Sequence, residues 1–371
     1  MKKILIIVLI IVICGCSGCK KEDVSKEKKV TKKEVEKNMV ALITDYESID
    51  DKMYNGQIWK GISEFAKKEK YNKKKYNAAV ENSITAKGKA IEKAINDGAD
   101  ILVFDDSVYA NIVGEYQSKY PDIEMLLFGF EPLSKTNEVK YTNNTSSIEF
   151  KKEELGYMTG YILVAEGYRK LGFFGSKKDD GSSAYGFGFI QGADAAAQKL
   201  RLNYGEIRME YRYTGSYSAS SEITADAKKC YTNGTQVIFC CAGNGIYSVV
   251  DAVDRLSSRK VVSGVIDLTS ESKSIIFSSV LNIKESIKNV LCNYADYGEE
   301  WGSASAGNKV TIGIKQDGLG LSAVEGAWRM NRVTIEKYNQ FYKSLKNSDI
   351  NIYSNRIPTT AYVSVNMKEI R

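Results

Sequence analysis

The chain contains 371 residues, of which 43% are hydrophobic and 26% are charged. This composition excludes an intrinsically disordered or collagen-like protein, and the length predicts two folded lobes of roughly 150 residues each. The sequence contains no histidine, which removes the commonest general base and the commonest zinc ligand. We therefore expect no histidine-dependent catalysis.

The net charge of +6 is concentrated near the amino terminus. Residues 1–38 contain ten lysines and five acidic residues, whereas the rest of the chain contains 42 basic and 41 acidic residues. The folded part therefore lacks the positive surplus that phosphate contacts require, and we expect no nucleic-acid partner.

A basic and apolar leader opens the sequence. Two lysines precede the apolar run Ile4–Ile13, which is too short to span a bilayer. The sequence Ile13-Cys14-Gly15-Cys16 resembles a bacterial lipobox, so residues 1–15 are predicted to be a lipoprotein signal peptide and Cys16 to be lipidated. Cys19 is a weaker candidate, and a plain secretory signal or an uncleaved anchor is the alternative. Each of these places the protein outside the cytoplasm at a membrane surface.

Residues 16–38 are predicted to form a flexible tether between this anchor and the folded core. Lys, Glu, Ser and Thr predominate from residue 20 onward. A segment of this composition cannot bury enough apolar surface to fold.

Short apolar runs alternate with amphipathic segments after residue 38. Residues 39–44 are predicted as a strand, and residues 55–70 as a helix with one apolar stripe. The further predicted segments are 76–80, 86–96, 101–104, 107–119, 123–128, 150–165, 170–174, 185–200, 207–213, 219–231, 236–241, 245–256 and 261–265. This strand–helix alternation predicts parallel sheets with right-handed crossovers, arranged as two doubly wound α/β lobes.

Polar residues follow several of the predicted strands. Asp45 follows the first, and Asp105-Asp106, Gly243-Asn244-Gly245 and Asp267 follow later ones. Ligands of open α/β sheets bind outside the carboxyl ends of the strands, so a cleft built from these ends is the expected site. The glycine pair fits either an anion cradle or a tight turn, and the tight turn is favoured.

The four cysteines beyond the leader region are interpreted as buried small hydrophobic residues. Cys240 and Cys241 are adjacent in a predicted strand and point to opposite faces, which disfavours a disulfide between them. Cys230 and Cys292 complete the set, and no CxxC spacing occurs among the four. We expect no metal site and no cofactor.

Motifs along the whole core indicate a family. The most specific stretch runs from Asp45 through Ile49-Asp50-Asp51-Lys52 and Tyr54-Asn55 to Trp59. Further motifs follow in order: Gly98-Ala99-Asp100-Ile101, Lys119-Tyr120-Pro121-Asp122, Glu154-Leu155-Gly156-Tyr157, Gly172-Phe173-Phe174-Gly175, Gly188-Phe189-Ile190-Gln191-Gly192, Ala242-Gly243, Gly264-Val265, Ser279-Val280-Leu281 and Asp317-Gly318-Leu319-Gly320-Leu321. Together with the lipobox, they resemble the basic membrane protein family of substrate-binding lipoproteins.

The resemblance implies the type I periplasmic-binding-protein fold, with two doubly wound parallel-sheet lobes, an interlobe cleft and a hinge that the chain crosses three times. We assign residues 39–145 and 282–310 to the N-terminal lobe, and residues 146–281 and 311–371 to the C-terminal lobe. The implied function is to bind nucleosides, with purine nucleosides favoured, for an ABC importer. The implied partners are the permease and ATPase subunits of that importer.

The resemblance also implies residues that hold the base. Asp45 and Asn55 match residues that contact the base in relatives. Tyr54, where phenylalanine is usual, and Phe239 match two aromatic residues that sandwich it. Stacking on such a face is worth roughly 1–3 kcal/mol per base. For both aromatic residues, the alternative is packing in the core.

The remaining implied contacts depart from the family's pattern. Asp267 lies one residue beyond the position of the aspartate that holds ribose. Asn282 stands where a lysine is expected, and Lys284 shares its face if the strand continues. Gly129 stands where relatives have a base-contacting aspartate, and the Asp105-Asp106 pair is the candidate replacement.

Other interpretations remain. Asp50 and Asp51 are favoured as caps of the following helix rather than ligands. The same cleft suits a non-transport receptor or sensor, or a sugar-binding transport protein. A nucleoside hydrolase is disfavoured, because Ile43 stands where the calcium-binding cluster of those enzymes has an aspartate, and no histidine exists to protonate a leaving base.

Overall fold

The computed structural model describes residues 39–44, 54–77, 83–254, 256, 258–297, 307–356 and 358–369. All of them belong to one compact unit, Lys37–Arg371. The predicted signal peptide, tether and lipidated Cys16 lie outside the described residues, as do Asp45, Asp50 and Asp51. Within the described part of the chain, no helix is long and apolar enough to cross a membrane.

The first sheet contains six strands, and every neighbouring pair is parallel. Its strands are β1 (Met39–Thr44), β2 (Asn72–Asn77), β3 (Ile101–Phe104), β4 (Glu124–Phe128), β5 (Thr145–Phe150) and β11 (Lys309–Ile312). Their spatial order is β11-β5-β4-β3-β1-β2, so β2 and β11 are its edges.

The second sheet contains seven strands, which are parallel except for one antiparallel pair at an edge. Its strands are β6 (Lys170–Gly175), β7 (Ile207–Tyr213), β8 (Val237–Cys241), β9 (Lys260–Val265), β10 (Ile275–Leu281), β12 (Leu319–Leu321) and β13 (Val363–Glu369). Their order is β12-β10-β9-β8-β6-β7-β13, and β12 runs antiparallel to β10.

Helices connect the strands and cover the sheets. They are α1 (Tyr54–Glu69), α2 (Ile84–Asn96), α3 (Ala110–Lys119), α4 (Lys152–Glu166), α5 (Asp180–Lys199), α6 (Ser221–Thr232), α7 (Gly245–Val253), α8 (Ile283–Tyr297) and α9 (Ile335–Lys346). The predicted α/β architecture with two doubly wound lobes is confirmed.

Burial on both faces explains the apolar runs of the central strands. In β1, Val40 and Leu42 lie in one core cluster with residues of α1, whereas Ala41 and Ile43 lie in another with residues of α2. Successive side chains of a strand point to opposite faces, so a strand covered by helices on both sides is apolar at every position. Each fully buried aliphatic side chain contributes about 1.5–3 kcal/mol.

The chain crosses between the lobes three times, as the resemblance implies. The crossings follow β5 at residues 150–152, β10 at 281–283 and β11 at 312–314. Adjacent crossings are tied by backbone hydrogen bonds, including one of 2.9 Å from the Lys151 N–H to the carbonyl of Ile312. The predicted lobe boundaries at residues 145 and 310 each fall inside a strand of the first sheet. The sequence did not reveal these two strands, because β5 and β11 are short and partly polar.

One predicted edge strand lies at different residues in the structure, whereas the described cysteines are buried as interpreted. The strand predicted at residues 76–80 forms at Asn72–Asn77, where only Tyr76 is buried because β2 is an edge. The four described cysteines are free and buried. Burial raises the pKa of Cys240 to about 12, so this thiol is a packing group rather than a nucleophile.

Candidate ligand-binding cleft

The wall contributed by the first lobe lies at the carboxyl ends of three neighbouring strands. Strands β1, β3 and β4 are adjacent and parallel, so the residues that follow them share one edge of the sheet. Asp105 and Asp106 follow β3, and Gly129 follows β4. Tyr54 and Asn55 begin α1, which returns from the same edge.

Tyr54 is half-buried and is held by two residues of the β4 end. Its ring packs edge-on against Phe128, with ring centroids 5.2 Å apart. Gly129 has a φ of +81°, and a Cβ added there would lie 3.0 Å from the Tyr54 hydroxyl. Tyr54 and Gly129 are therefore physically coupled, because the absence of a side chain at Gly129 leaves the space that the Tyr54 hydroxyl fills.

The polar groups of this wall are ordered by local hydrogen bonds. The Asn55 side chain is 7% exposed, and its Oδ1 accepts a hydrogen bond of 2.9 Å from the N–H of Gly56. Asp106 caps a short 3-10 turn, since its Oδ1 accepts from the N–H of Val108 at 2.9 Å. Asp105, beside it, is 4% exposed. The wall thus presents an aromatic ring beside amide and carboxylate groups.

The wall contributed by the second lobe includes Tyr217, which is absent from the residues predicted from the sequence. Tyr217 is half-exposed and lies beside Gly243 at the end of β8, where a Cβ would come within 3.0 Å of the Tyr217 carbonyl oxygen. The Lys177 ammonium lies 5.7 Å from the centre of its ring. Asp179, in the same β6–α5 loop, caps α5 by accepting from the N–H of Ser182 at 2.7 Å.

One electrostatic effect joins the two walls. Burial raises the pKa of the Tyr217 phenol, and the negative charges of Asp179 and Asp106 also raise this pKa. Asp106 belongs to the first lobe and Tyr217 to the second. The charge of Asp106, at the β3 end of the first lobe, is thus one of those that act on Tyr217 in the second lobe.

Asp267 lies at the carboxyl end of β9, after an unusual turn. Val265 has a φ of +78°, which is rare and strained for a β-branched residue. After this turn Ile266 is buried and Asp267 is exposed. The Oδ1 of Asp267 accepts hydrogen bonds from the N–H and the hydroxyl of Thr269 at 3.0 and 2.8 Å.

The prediction that Phe239 stacks on a base is wrong. Its side chain is 0% exposed and packs against Phe173 and Phe189, with ring centroids 5.8 and 5.2 Å away. Phe239 lies in the middle of β8, and the alternation of the strand directs it into the core with Val237. The alternative of core packing is the one that the structure supports.

Asn282 and Lys284 have contacts that differ from the implied ribose site. The strand does not continue to Lys284, because β10 ends at Leu281 and Lys284 lies in the first turn of α8. The Lys284 ammonium lies 3.0 Å from a carboxylate oxygen of Glu64. The Asn282 amide donates to the carbonyl of Asp317, which ties the second crossing to the third. The condition under which Asn282 and Lys284 would share one strand face is therefore not met.

The sequence contains a local signal for part of the second wall, namely polar residues directly after an apolar strand. Ser176, Lys177 and Asp179 follow the apolar strand at 170–175, as Asp105 and Asp106 follow β3. The same rule about carboxyl ends therefore applies to them. Tyr217 has no comparable signal, since it follows β7 within a stretch of Ser, Thr and Gly and reaches Gly243 only through the fold.

Two doubly wound parallel-sheet lobes joined by three crossings define the type I periplasmic-binding-protein fold. Solved structures share the fold. An ABC-transporter solute-binding protein of Aeropyrum pernix K1 is similar with a TM-score of 0.62 and 16% identity, over 83% of this chain and 86% of that one. A transcriptional activator of the comK gene from Bacillus halodurans is similar with a TM-score of 0.66 and 16% identity, over 86% and 100%.

Residues 37–362 match the family model Bmp, described as ABC transporter substrate-binding protein PnrA-like. The chain belongs to this family, as its motifs predict. The ABC transporter nucleoside-binding protein BmpA of Lactococcus lactis is 23% identical over 82% of this chain and 86% of that protein. Basic membrane protein D of Borreliella burgdorferi is 25% identical over 57% of this chain and 58% of that protein.

Membership makes the protein an extracytoplasmic substrate-binding protein of an ABC transporter rather than an enzyme. A third relative, the CD4+ T-cell-stimulating antigen of Listeria monocytogenes, is 22% identical over 92% of this chain and 94% of that protein.

Proposed function

We propose that this protein binds nucleosides, with purine nucleosides favoured, for an ABC importer, and that a lipid on Cys16 holds it at the outer face of the cell membrane. The ligand enters the cleft, the lobes close around it, and it leaves unaltered. The permease and ATPase subunits of the importer are the partners that receive it.

The observation that carries this proposal is that aromatic and acidic residues of both lobes follow the carboxyl ends of parallel strands. Tyr54 and Asp106 lie on one wall, and Tyr217 lies on the other within the electrostatic reach of Asp106. A nucleoside combines a flat ring with a polyhydroxylated sugar. Aromatic faces suit the ring, whereas carboxylate oxygens accept hydrogen bonds from its N–H groups and from the sugar hydroxyls.

Tyr217 takes the role that the motifs assigned to Phe239. It is the aromatic residue of the second lobe that is half-exposed beside Gly243. We therefore propose Tyr54 and Tyr217 as the two stacking residues. Asp45, Asn55 and Asp106 are the proposed base contacts, and Asp267 is the proposed ribose contact.

The three crossings form the hinge about which we expect the two lobes to close. A ligand favours the closed form only by the difference between its affinities for the two forms. Groups on facing walls supply that difference, because they contact the ligand together only when the lobes are near one another.

The decisive experiment identifies the ligand directly. Mass spectrometry of small molecules released from the purified protein should find a nucleoside, and calorimetry should show binding of purine nucleosides in preference to pyrimidine nucleosides and free pentoses. Chromatography of the mixture after several hours should show no free base. Binding of sugars alone would contradict the nucleoside assignment, and release of base would contradict the transport role.

A second experiment tests the anchor. Replacing Cys16 with Ala should move the protein from the membrane fraction to the soluble fraction, whereas replacing Cys19 should leave it membrane-bound. If Cys19→Ala alone releases the protein, Cys19 is the lipidated residue.

A further inference from the structure

The amino end of the first lobe has an exposed basic edge. We use this term for six lysines: Lys67, Lys68 and Lys70 at the end of α1, and Lys73, Lys74 and Lys75 in β2. All six are exposed. Strand β2 is the outer strand of its sheet and pairs with β1 alone.

The charge of the core is concentrated at this edge. Residues 60–75 contain seven lysines and two glutamates, a balance of +5, whereas residues 39–371 as a whole have a balance of only +1. The remainder of the core is therefore net negative. Such an asymmetric distribution orients a protein in the field of a charged surface.

Four of the six lysines have no acidic partner among the described residues. Lys68 pairs with Glu69 at 2.9 Å, and Lys74 pairs with Asp97 at 2.7 Å. Lys67, Lys70, Lys73 and Lys75 have no carboxylate of the described chain within 4 Å. No carboxylate of the described part of the chain therefore neutralises the charge of these four lysines.

An aromatic ring lies within the basic edge. The ammonium groups of Lys73 and Lys75 lie 5.1 and 4.8 Å from the ring centre of Trp59, which is half-buried on α1. Both lysines are on the same face of β2, since they are two residues apart. Tryptophan flanked by cations is a combination typical of protein surfaces at the membrane–water interface.

The backbone at Lys70 adds an independent observation. Lys70 has a φ of +60° and closes α1, where the N–H of Tyr71 bonds to the carbonyl of Ala66 at 2.9 Å. This left-handed position is ordinarily filled by glycine, because a side chain there is disfavoured. The chain thus carries a lysine where glycine would stabilise the fold better.

The basic edge lies where the chain enters the fold. Met39, the first residue of β1, is paired in register with Asn72 of β2, so residue 38 precedes a position about 4.8 Å from that strand. The candidate ligand-binding cleft lies at the other, carboxyl ends of the strands. An anchor attached before Met39 therefore joins the core beside the basic edge rather than beside the cleft.

We propose that the basic edge binds the anionic phospholipid headgroups of the membrane to which the protein is anchored. This contact holds the unliganded protein with its cleft open to the surrounding solution. The inference rests on the proposed membrane location but not on the identity of the ligand. Lysine clusters bind anionic bilayers by electrostatic attraction that salt screens.

The test uses the chain from Lys20 onward, which lacks the leader and the lipid. Both sheets and all three core clusters are built from residues 39–369, so this chain retains the complete described fold. Cosedimentation with vesicles that contain phosphatidylglycerol should show binding at low salt that weakens at physiological salt. Vesicles of phosphatidylcholine alone should not bind it.

The variant Lys67→Gln/Lys70→Gln/Lys73→Gln/Lys75→Gln should bind anionic vesicles at least tenfold more weakly. The control removes an equal charge elsewhere, at the exposed lysines 135, 228, 229 and 343, and should bind as the parent does. Equal loss in both variants would overturn the proposal, because net charge alone would then explain binding. Unchanged vesicle binding of the first variant would also overturn the proposal, whether or not the variant aggregates. Protection of the exposed sheet edge would then remain as the role of these lysines.

Lys70→Gly separates the membrane role from the structural one. It should raise the thermal midpoint, since glycine suits the left-handed position, and should weaken vesicle binding severalfold. A raised midpoint with unchanged vesicle binding would remove Lys70 from the proposed surface. Calorimetry with a purine nucleoside should give the same affinity for these variants as for the parent protein. If the parent protein itself binds no nucleoside, the proposed function is refuted, whereas the vesicle-binding result still tests the basic edge.

Discussion

The two lobes build their walls of the cleft in different ways. The first lobe holds Tyr54 at a helix start, packed against Phe128 and fitted over Gly129. The second lobe presents Tyr217 half-exposed in a loop and Asp267 after the strained turn at Val265. One wall is thus a packed surface, whereas the other is a set of turns, which suggests that the second wall adjusts when the lobes close.

The largest expected effect concerns the packed wall. Tyr54→Ala should weaken purine-nucleoside binding at least tenfold, since base stacking is worth roughly 1–3 kcal/mol. Tyr217→Ala should weaken it less, because a half-exposed loop residue is less preorganised. Calorimetry measures both. Tyr204→Ala, at a tyrosine 76% exposed beside the amino end of β7, is the control and should bind as the wild type does. Equal losses at Tyr54 and Tyr217 would remove the distinction between the walls.

The fit between Tyr54 and Gly129 is tested by a double-mutant cycle. Gly129→Ala should lower the free energy of unfolding by more than about 1 kcal/mol, because it adds a close contact to the cost of a positive φ. Gly205→Ala isolates the backbone cost, since Gly205 has a φ of +68° and open space at its Cβ position. In the Tyr54→Phe background, the loss at Gly129 should fall to that of Gly205→Ala. An unchanged loss would show that the hydroxyl is not the contact.

The approach of the two walls is tested through the Tyr217 phenol. Asp106→Asn should lower the Tyr217 pKa, because removing a negative charge makes the phenolate easier to form. The measurement is the pH titration of fluorotyrosine NMR signals, with Tyr217→Phe used for assignment. Asp179→Asn, within the same lobe, should lower the pKa as well. If only Asp179→Asn has an effect, the walls are farther apart than the structure indicates.

The smallest expected effect is at the strained turn. Val265→Gly should change the free energy of unfolding by less than about 1 kcal/mol, because relief of the positive φ offsets the loss of a half-buried side chain. Val262→Gly, in the same strand but fully buried, should cost about 3 kcal/mol or more. Urea unfolding compares the two. Losses of similar size would show that Val265 is not strained.

The sequence predicted best those helices and strands in which buried residues recur at a regular spacing. The strand at Ile207–Tyr213 forms where it was predicted, and the helix predicted at 86–96 begins only two residues earlier. Strand β5 was not predicted, because Thr145, Ser146 and Ser147 are polar although they are fully buried. Their burial comes from position between β4 and β11 rather than from side-chain character.

Within the candidate site, local motifs identified residues of the first wall correctly but assigned the aromatic residue of the second wall to the wrong position. Tyr54 and Asn55 could be recognised from neighbouring residues in one continuous motif. Phe239 could not be assigned from its strand, since the same apolar alternation fits a core residue and a residue facing a cleft. The position of Lys284 was left open, because the end of β10 depends on where the chain crosses to the other lobe.

The amino-acid sequence by itself determined the family, the two-lobed α/β architecture and the motif that begins α1, since these depend on composition, periodicity and contiguous residues. Tertiary structure alone decided that Phe239 is buried, that Tyr217 lies by Gly243, and that the Tyr54 hydroxyl fills the space above Gly129. The physical reason is that these contacts join residues far apart in the chain. Their distances are set by strand order and helix packing, which no local pattern of side chains encodes.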